Sequence, residues 1–195
     1  MALAGAALAA MCPAQTPDSV TWQSKANFHL NSAYGVDGML DSLALAGYLQ
    51  GIDSPREWGQ GGTGYGRRLV STMAYSGVRN ALAFGLDTTL HQDPRYYPSG
   101  MTGTWRRTKY ALRETLFTHK DSGGETLATW RLGSAYSAAF IANQWRPDRV
   151  NTTGLSLREG TTQLGFDALA NLRREFWPDI RKKLLRKQVS GHAVE

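Results

Sequence analysis

The stretch "YGRRLVSTMAYSGVRNALAFGLDTTL", Tyr65 to Leu90, decides the fold class. It contains no proline, and its apolar residues recur at helical rather than alternating spacing, so it reads as one long helix. Gly77, Ala81 and Gly85 fall four apart and line one stripe, where small side chains let a second helix approach closely.

Working outward, the same pattern recurs on both sides. Upstream, "VDGMLDSLALAGYLQGI" places Met39, Leu40, Leu43, Leu45, Ala46 and Leu49 at near-helical spacing, with Asp37 placed to cap the start. Asp53 to Pro55 punctuates its end, because proline restricts the residue before it. Downstream, "HQDPRYYPSG" is a turn, and a helix from about Thr104 to Thr118 is expected to bury Tyr110, Leu112, Leu116 and Phe117. "HKDSGGE" suits either a hairpin tip or a helix-to-helix loop, and the alanine-rich "LATWRLGSAYSAAFIANQW" after it favours the loop. In that next helix Gly133, Ser137 and Ile141 share one stripe, and Ala135 and Ala139 another. The last helix, about Leu155 to Phe176, is expected to turn Leu157, Thr161, Leu164, Gly165, Ala168, Leu169 and Leu172 inward, with Pro178 interrupting it.

The expected fold is therefore mainly α: a compact bundle of about five helices with Gly/Ala-rich packing seams and an extended N-terminal arm. Residues 1–14, "MALAGAALAAMCPA", have the apolar run and small-residue end of a signal peptide, with cleavage after Ala14. Residues 15–36 read as the arm, 37–178 as the helical domain and 179–195 as a basic tail. Removal of the leader takes Cys12 with it and leaves no cysteine for a disulfide, a thiolate or a metal site. No later window offers about 18 uninterrupted apolar residues, so no membrane-spanning helix is expected beyond the leader.

The net charge of +6 is concentrated in Arg181, Lys182, Lys183, Arg186 and Lys187, and the body is nearly neutral. That distribution argues for one anionic contact near the C-terminus, a lipid surface or an envelope polymer, and against a nucleic-acid-binding domain. Trp58, Trp105, Trp130, Trp145 and Trp177 each fall near a helix boundary, where an amphipathic ring suits ring packing or a membrane interface.

"EWGQGGTGYGRR" carries a G-x-G-x-x-G at Gly59, Gly61 and Gly64. A dinucleotide site needs a buried strand before such glycines and an acid after the next strand, and neither is present. The P-loop lysine is missing too, so nucleotide binding is not expected. Gly64, Gly66, Arg67 and Arg68 remain candidates for holding a small anion at a helix start. His91 with Asp93 and His119 with Asp121 repeat an H-x-D spacing, and convergence of the two pairs would hold one metal ion or make a catalytic centre. Each also lies just past a helix end, where histidine and aspartate are common for local reasons. No G-x-S-x-G elbow supports serine catalysis. Glu175 has Arg173 and Arg174 as sequence neighbours for pairing. No cofactor and no metal site is expected.

In order along the chain, "SPREWGQGGTGYGRR", "LHQDPRYY", "TKYALRETLFTHKDSGGE" and "REFWPDIRKKL" resemble an uncharacterised family of exported bacterial proteins, abundant in acidobacteria, with W-G-Q-G, H-x-D-P-R-Y and F-W-P-D blocks. The resemblance covers most of the chain after Asp37. It implies an exported envelope protein, in the periplasm or at the outer membrane, with no assigned activity and no catalytic residues to carry over. The leading expectation is a structural or scaffolding protein that lies against a membrane or assembles with its own copies. The alternatives are a periplasmic hydrolase of an anionic envelope substrate and a binding module for a small anionic ligand.

Overall fold

The computed structural model describes residues 20–191, so the expected leader lies outside the described residues. The chain is mainly α, as its periodicity predicts. The order is α1 (Trp22–Tyr34), α2 (Val36–Gly51), a 3-10 turn (Arg56–Trp58), α3 (Gly61–Thr89), β1 (Gln92–Asp93), α4 (Thr104–Leu116), β2 (Phe117–Lys120), β3 (Glu125–Leu127), α5 (Thr129–Ala142), a second 3-10 turn (Asp148–Val150) and α6 (Thr153–Gly191). α3 is central, with α1 and α2 on one side and α5 on the other; α6 packs on α5, and α4 on α6.

Three local expectations are corrected. The arm is not extended: Thr21 caps α1 by accepting from the Ser24 amide at 3.2 Å. The inward face of α1 is Lys25, His29 and Ala33, so the helix carries no apolar stripe to reveal it. "HKDSGGE" is a hairpin tip, with β2 antiparallel to both β1 and β3 and Asp93 opposite His119. Proline does not end the last helix, because α6 continues through Pro178 to Gly191 and makes the basic segment helical.

A further correction concerns which residues of each helix face inward: Leu45, Leu49, Tyr110, Leu164, Ala168 and Leu172 are half-buried as their spacing predicts, but most of the other large apolar residues expected inside are exposed. On α2 the buried residues are Gly38, Ser42 and Ala46, while Met39, Leu40 and Leu43 are exposed. On α4, Ala111, Glu114 and Thr115 are buried, while Leu112, Leu116 and the following Phe117 are exposed. On α6, Ser156, Asn171 and Glu175 are buried, while Leu157, Phe166, Leu169 and Trp177 face outward. On α3, Gly77 abuts the Tyr34 hydroxyl but Ala81 and Gly85 are exposed. The expected alanine seam does form on α5, where Ala135, Ala138, Ala139 and Ala142 are fully buried. The Gly133, Ser137 and Ile141 stripe does not, since Ser137 and Ile141 are exposed.

Among the described residues eleven hydrophobic residues are buried, nine of them alanine, whereas twenty-five large hydrophobic side chains are exposed. Small side chains bring backbones close but bury little apolar area each, so the interior depends on close packing and on satisfied polar groups. Arg68, Asp87, Asn171 and Glu175 are among the largest fully buried side chains.

Candidate functional site

The glycine-rich turn is built around Arg68. Its guanidinium is fully buried and donates to the Ser54 carbonyl at 2.9 Å, the Gln50 side chain at 2.5 Å, the Gly59 carbonyl at 2.7 Å and the Pro55 carbonyl at 2.9 Å, with Asp53 at 3.3 Å. These contacts fasten the whole 50–59 loop to α3. Gly64 is required because a Cβ there would meet the Gly59 carbonyl and the Arg68 guanidinium. Gly59 sits at φ 70°, a conformation that favours glycine. Of the four anion candidates, Gly64 and Arg68 are therefore spent on closing the loop. Gly66 and Arg67 remain at the surface, with open space beside Gly66.

The two H-x-D pairs meet across the sheet, but their side chains take separate partners. Asp93 is buried and accepts from the Arg95 backbone at 3.0 Å, from the Arg95 guanidinium at 2.9 to 3.2 Å and from the Tyr97 hydroxyl at 2.7 Å. Burial raises its pKa, but these donors outweigh burial and hold it below the usual carboxylate value. Asp121 binds the Lys25 ammonium at 2.7 Å, and Lys25 also donates to the Asp87 carbonyl at 3.0 Å. His91 is exposed, with Nδ1 3.2 Å from the Thr89 carbonyl oxygen. His119 lies edge-on to Tyr97, with Nδ1 3.9 Å from Glu114 Oε2. His119 Nδ1 and Glu114 Oε1 are both buried without a hydrogen bond, although Arg113 lies 3.8 Å from that oxygen, and burial raises the Glu114 pKa. Among the described residues no three His, Cys, Asp or Glu side chains gather as a metal-binding group.

Two buried polar centres escape the sequence reading. In the first, His29 joins Asp87 through Nε2 at 2.6 Å and Asn80 through Nδ1 at 3.1 Å, tying α1 to α3. In the second, Glu175 accepts from the Tyr96 hydroxyl at 2.7 Å, the Ser99 amide at 2.9 Å, the Ser99 hydroxyl at 2.6 Å and Arg107 Nε at 2.8 Å. Burial raises this carboxyl's pKa, but the four donors outweigh burial and bring it to about 2. Its partner is therefore Arg107 on α4 and not the neighbouring Arg173 or Arg174. The one available signal was Pro178, which marks a helix turn whose carbonyls need outside donors.

The Glu175 cradle also shapes the surface above it. Ser99 holds the Met101 amide through its hydroxyl at 3.2 Å, and the Tyr110 hydroxyl donates to the Tyr97 carbonyl at 3.1 Å. The loop is thereby fixed against α4, leaving a cleft of about 420 Å³ lined by Met101, Arg106, Lys109, Tyr110, Arg113 and Glu125. Elsewhere, Arg173 on α6 approaches Asp37 on α2 at 3.5 Å. Val36 and Leu40 of α2 and Leu169 and Trp177 of α6 are all exposed. Arg181 and Lys182 are exposed; the side chains of Lys183, Arg186 and Lys187 lie outside the described residues. No helix among the described residues is long and apolar enough to cross a membrane.

Compared with known protein families, with curated proteins and with solved structures, the chain finds no match in any of the three.

Proposed function

We propose that this chain is a structural protein of the bacterial envelope, exported, that rests its outward apolar helix faces on an anionic lipid surface. One observation carries the reading: α2, α4 and α6 all turn leucine, tryptophan or phenylalanine outward over an interior of alanine and paired polar groups. Exposed apolar area on this scale marks a surface that something apolar covers. Exposed tryptophans beside arginine and lysine, and the helical basic segment after Ile180, suit the headgroup layer of that surface. The export and the envelope location rest on the leader-like N-terminus and on the family resemblance.

Flotation of the full chain with phosphatidylglycerol and with phosphatidylcholine vesicles tests it. Binding to the anionic vesicles that weakens at high salt supports the reading. No flotation, together with a stable oligomer in sedimentation, replaces the lipid with further copies of the chain.

A second reading, hydrolysis of an anionic envelope substrate, has in its favour Glu114 and His119, which lie 3.9 Å apart and each carry a buried atom without a hydrogen bond. A burial-raised carboxyl beside an imidazole is an acid–base arrangement. Turnover of a phosphodiester or ester that disappears in His119→Gln tests that reading.

A further inference from the structure

The cleft on α4 has a cation surplus that the fold does not consume. Arg106, Lys109 and Arg113 succeed one another at i, i+3 and i+7, about 10 Å along the helix axis. Among the cleft's lining residues the one carboxylate is Glu125, and Arg113 also lies 3.8 Å from the buried Glu114, so the surplus is Arg106 and Lys109. Glu125 grips the Arg113 guanidinium with both oxygens, so the arginine fork is already set for a flat oxyanion. Arg106 and Lys109 make no ion pair among the described residues. Lys109 Nζ lies 5.0 Å from the centre of the Trp105 ring, which is 67% exposed. The opposite wall is fixed from below, because Glu175 holds Ser99 and Ser99 holds Met101.

Beside the cleft, Trp105, Leu112 and Leu116 form an exposed apolar stripe at i, i+7 and i+11 on the same helix. A basic row flanking an apolar row is the geometry of a helix lying in a lipid interface. We infer that this cleft binds the phosphate headgroup of an anionic lipid, with Trp105, Leu112 and Leu116 entering the acyl boundary next to it. The inference rests on the membrane-surface reading and adds a localised headgroup contact that a basic tail does not supply. Free inorganic phosphate is the less suited occupant, because the apolar stripe would stay uncovered.

The test is equilibrium flotation of the full chain with phosphatidylglycerol vesicles at about 0.1 M salt. Arg106→Gln/Lys109→Gln is compared with Arg149→Gln/Arg158→Gln, which removes two exposed charges elsewhere. The α4 pair is expected to lower the partition coefficient roughly tenfold or more, and the control pair by much less. Glu125→Gln, which removes the internal competitor, is expected to raise it several-fold. Equal losses from the two pairs, or weaker binding by Glu125→Gln, overturn the headgroup site while leaving the membrane-surface reading standing. Circular dichroism checks that each variant keeps its helices.

If the unaltered chain does not float at all, the membrane-surface reading fails. The cleft is then read by titration with glycerol 1-phosphate, following the amide resonances of Met101, Tyr110 and Arg113. Saturable shifts there without vesicle binding overturn the lipid source in favour of a soluble phosphate. No shift overturns the anion site as well.

Discussion

Arg107 on α4 holds Glu175 on α6 at both ends of the residue: Nε donates to Oε1 at 2.8 Å, and Nη2 donates to the Glu175 backbone carbonyl. That carbonyl lies three residues before Pro178, next to the Arg174 carbonyl that the proline leaves without its i+4 donor. Nη1 of the same guanidinium reaches Asp179, just past the proline. One arginine thus satisfies an irregular turn and lets α6 run on into its basic segment. Arg107→Ala leaves a buried carboxylate short of a donor and is expected to lower the urea unfolding midpoint. An unchanged midpoint would show that solvent satisfies this turn unaided.

The same carboxylate sets an acid limit on stability. Glu175 is held near a pKa of about 2 when folded, against 4.5 for an ordinary glutamate. Between those values the unfolded chain binds the proton and the folded chain does not, so stability rises with pH across that window. Its contribution is fully present above about pH 4.5 and is lost as pH falls toward 2. Asp93 is depressed in the same sense and adds to the slope. Urea unfolding followed from pH 2 to 6 is expected to show Glu175→Gln less stable at pH 6 and with a flatter profile below pH 4.5. An unchanged slope would mean that other carboxylates govern the acid limit.

Two glycines two residues apart on α3 are expected to respond oppositely to a methyl group. Gly64→Ala drives a Cβ into the Gly59 carbonyl and the Arg68 guanidinium, both held in the buried clamp. It is expected to cost about 2 kcal/mol or more, and to raise proteolysis of the 50–59 loop. Gly66→Ala meets nothing within 4 Å and lies inside the helix. It is expected to gain up to about 1 kcal/mol from helix propensity alone. Thermal melting of the two variants reads both signs together.

What the sequence discloses and what it conceals divide along a physical line. Helix existence follows from spacing and from proline and glycine punctuation, and α2 through α6 are legible on that basis. Facing direction does not, because the rule that leucine points inward assumes water outside. Here Ser42 and Ala46 point inward while Leu40 and Leu43 do not, and on α4 and α6 Leu112, Leu116, Leu157 and Leu169 are exposed while Tyr110, Leu164 and Leu172 are half-buried, so the rule places only part of each face. α1 is illegible for a related reason: its inward residues Lys25 and His29 bind partners 96 and 58 residues away, which no local window contains. The two H-x-D segments, read from sequence as turns past helix ends, pair in one sheet, but Arg95, Tyr97 and Lys25 claim their carboxylates.

The outward leucines make a prediction that separates fold from function. If the outward leucines serve a covering surface, replacing them costs the isolated fold little. Leu40→Ser and Leu169→Ser, at 57% and 60% exposed, are each expected to change unfolding free energy in dilute buffer by under about 0.5 kcal/mol. The same changes are expected to weaken vesicle binding, each by up to about tenfold, because each removes apolar area that would otherwise leave water. Ala139→Leu should behave in the reverse way, since Ala139 is fully buried and a larger side chain overpacks the α5 seam by about 1 to 3 kcal/mol. Urea unfolding and flotation on the three variants discriminate directly. If serine at position 40 or 169 destabilises the lipid-free chain by more than about 2 kcal/mol, those leucines belong to a core and the covering surface does not exist. Stable serine variants that bind vesicles less tightly place the function of these faces outside the fold.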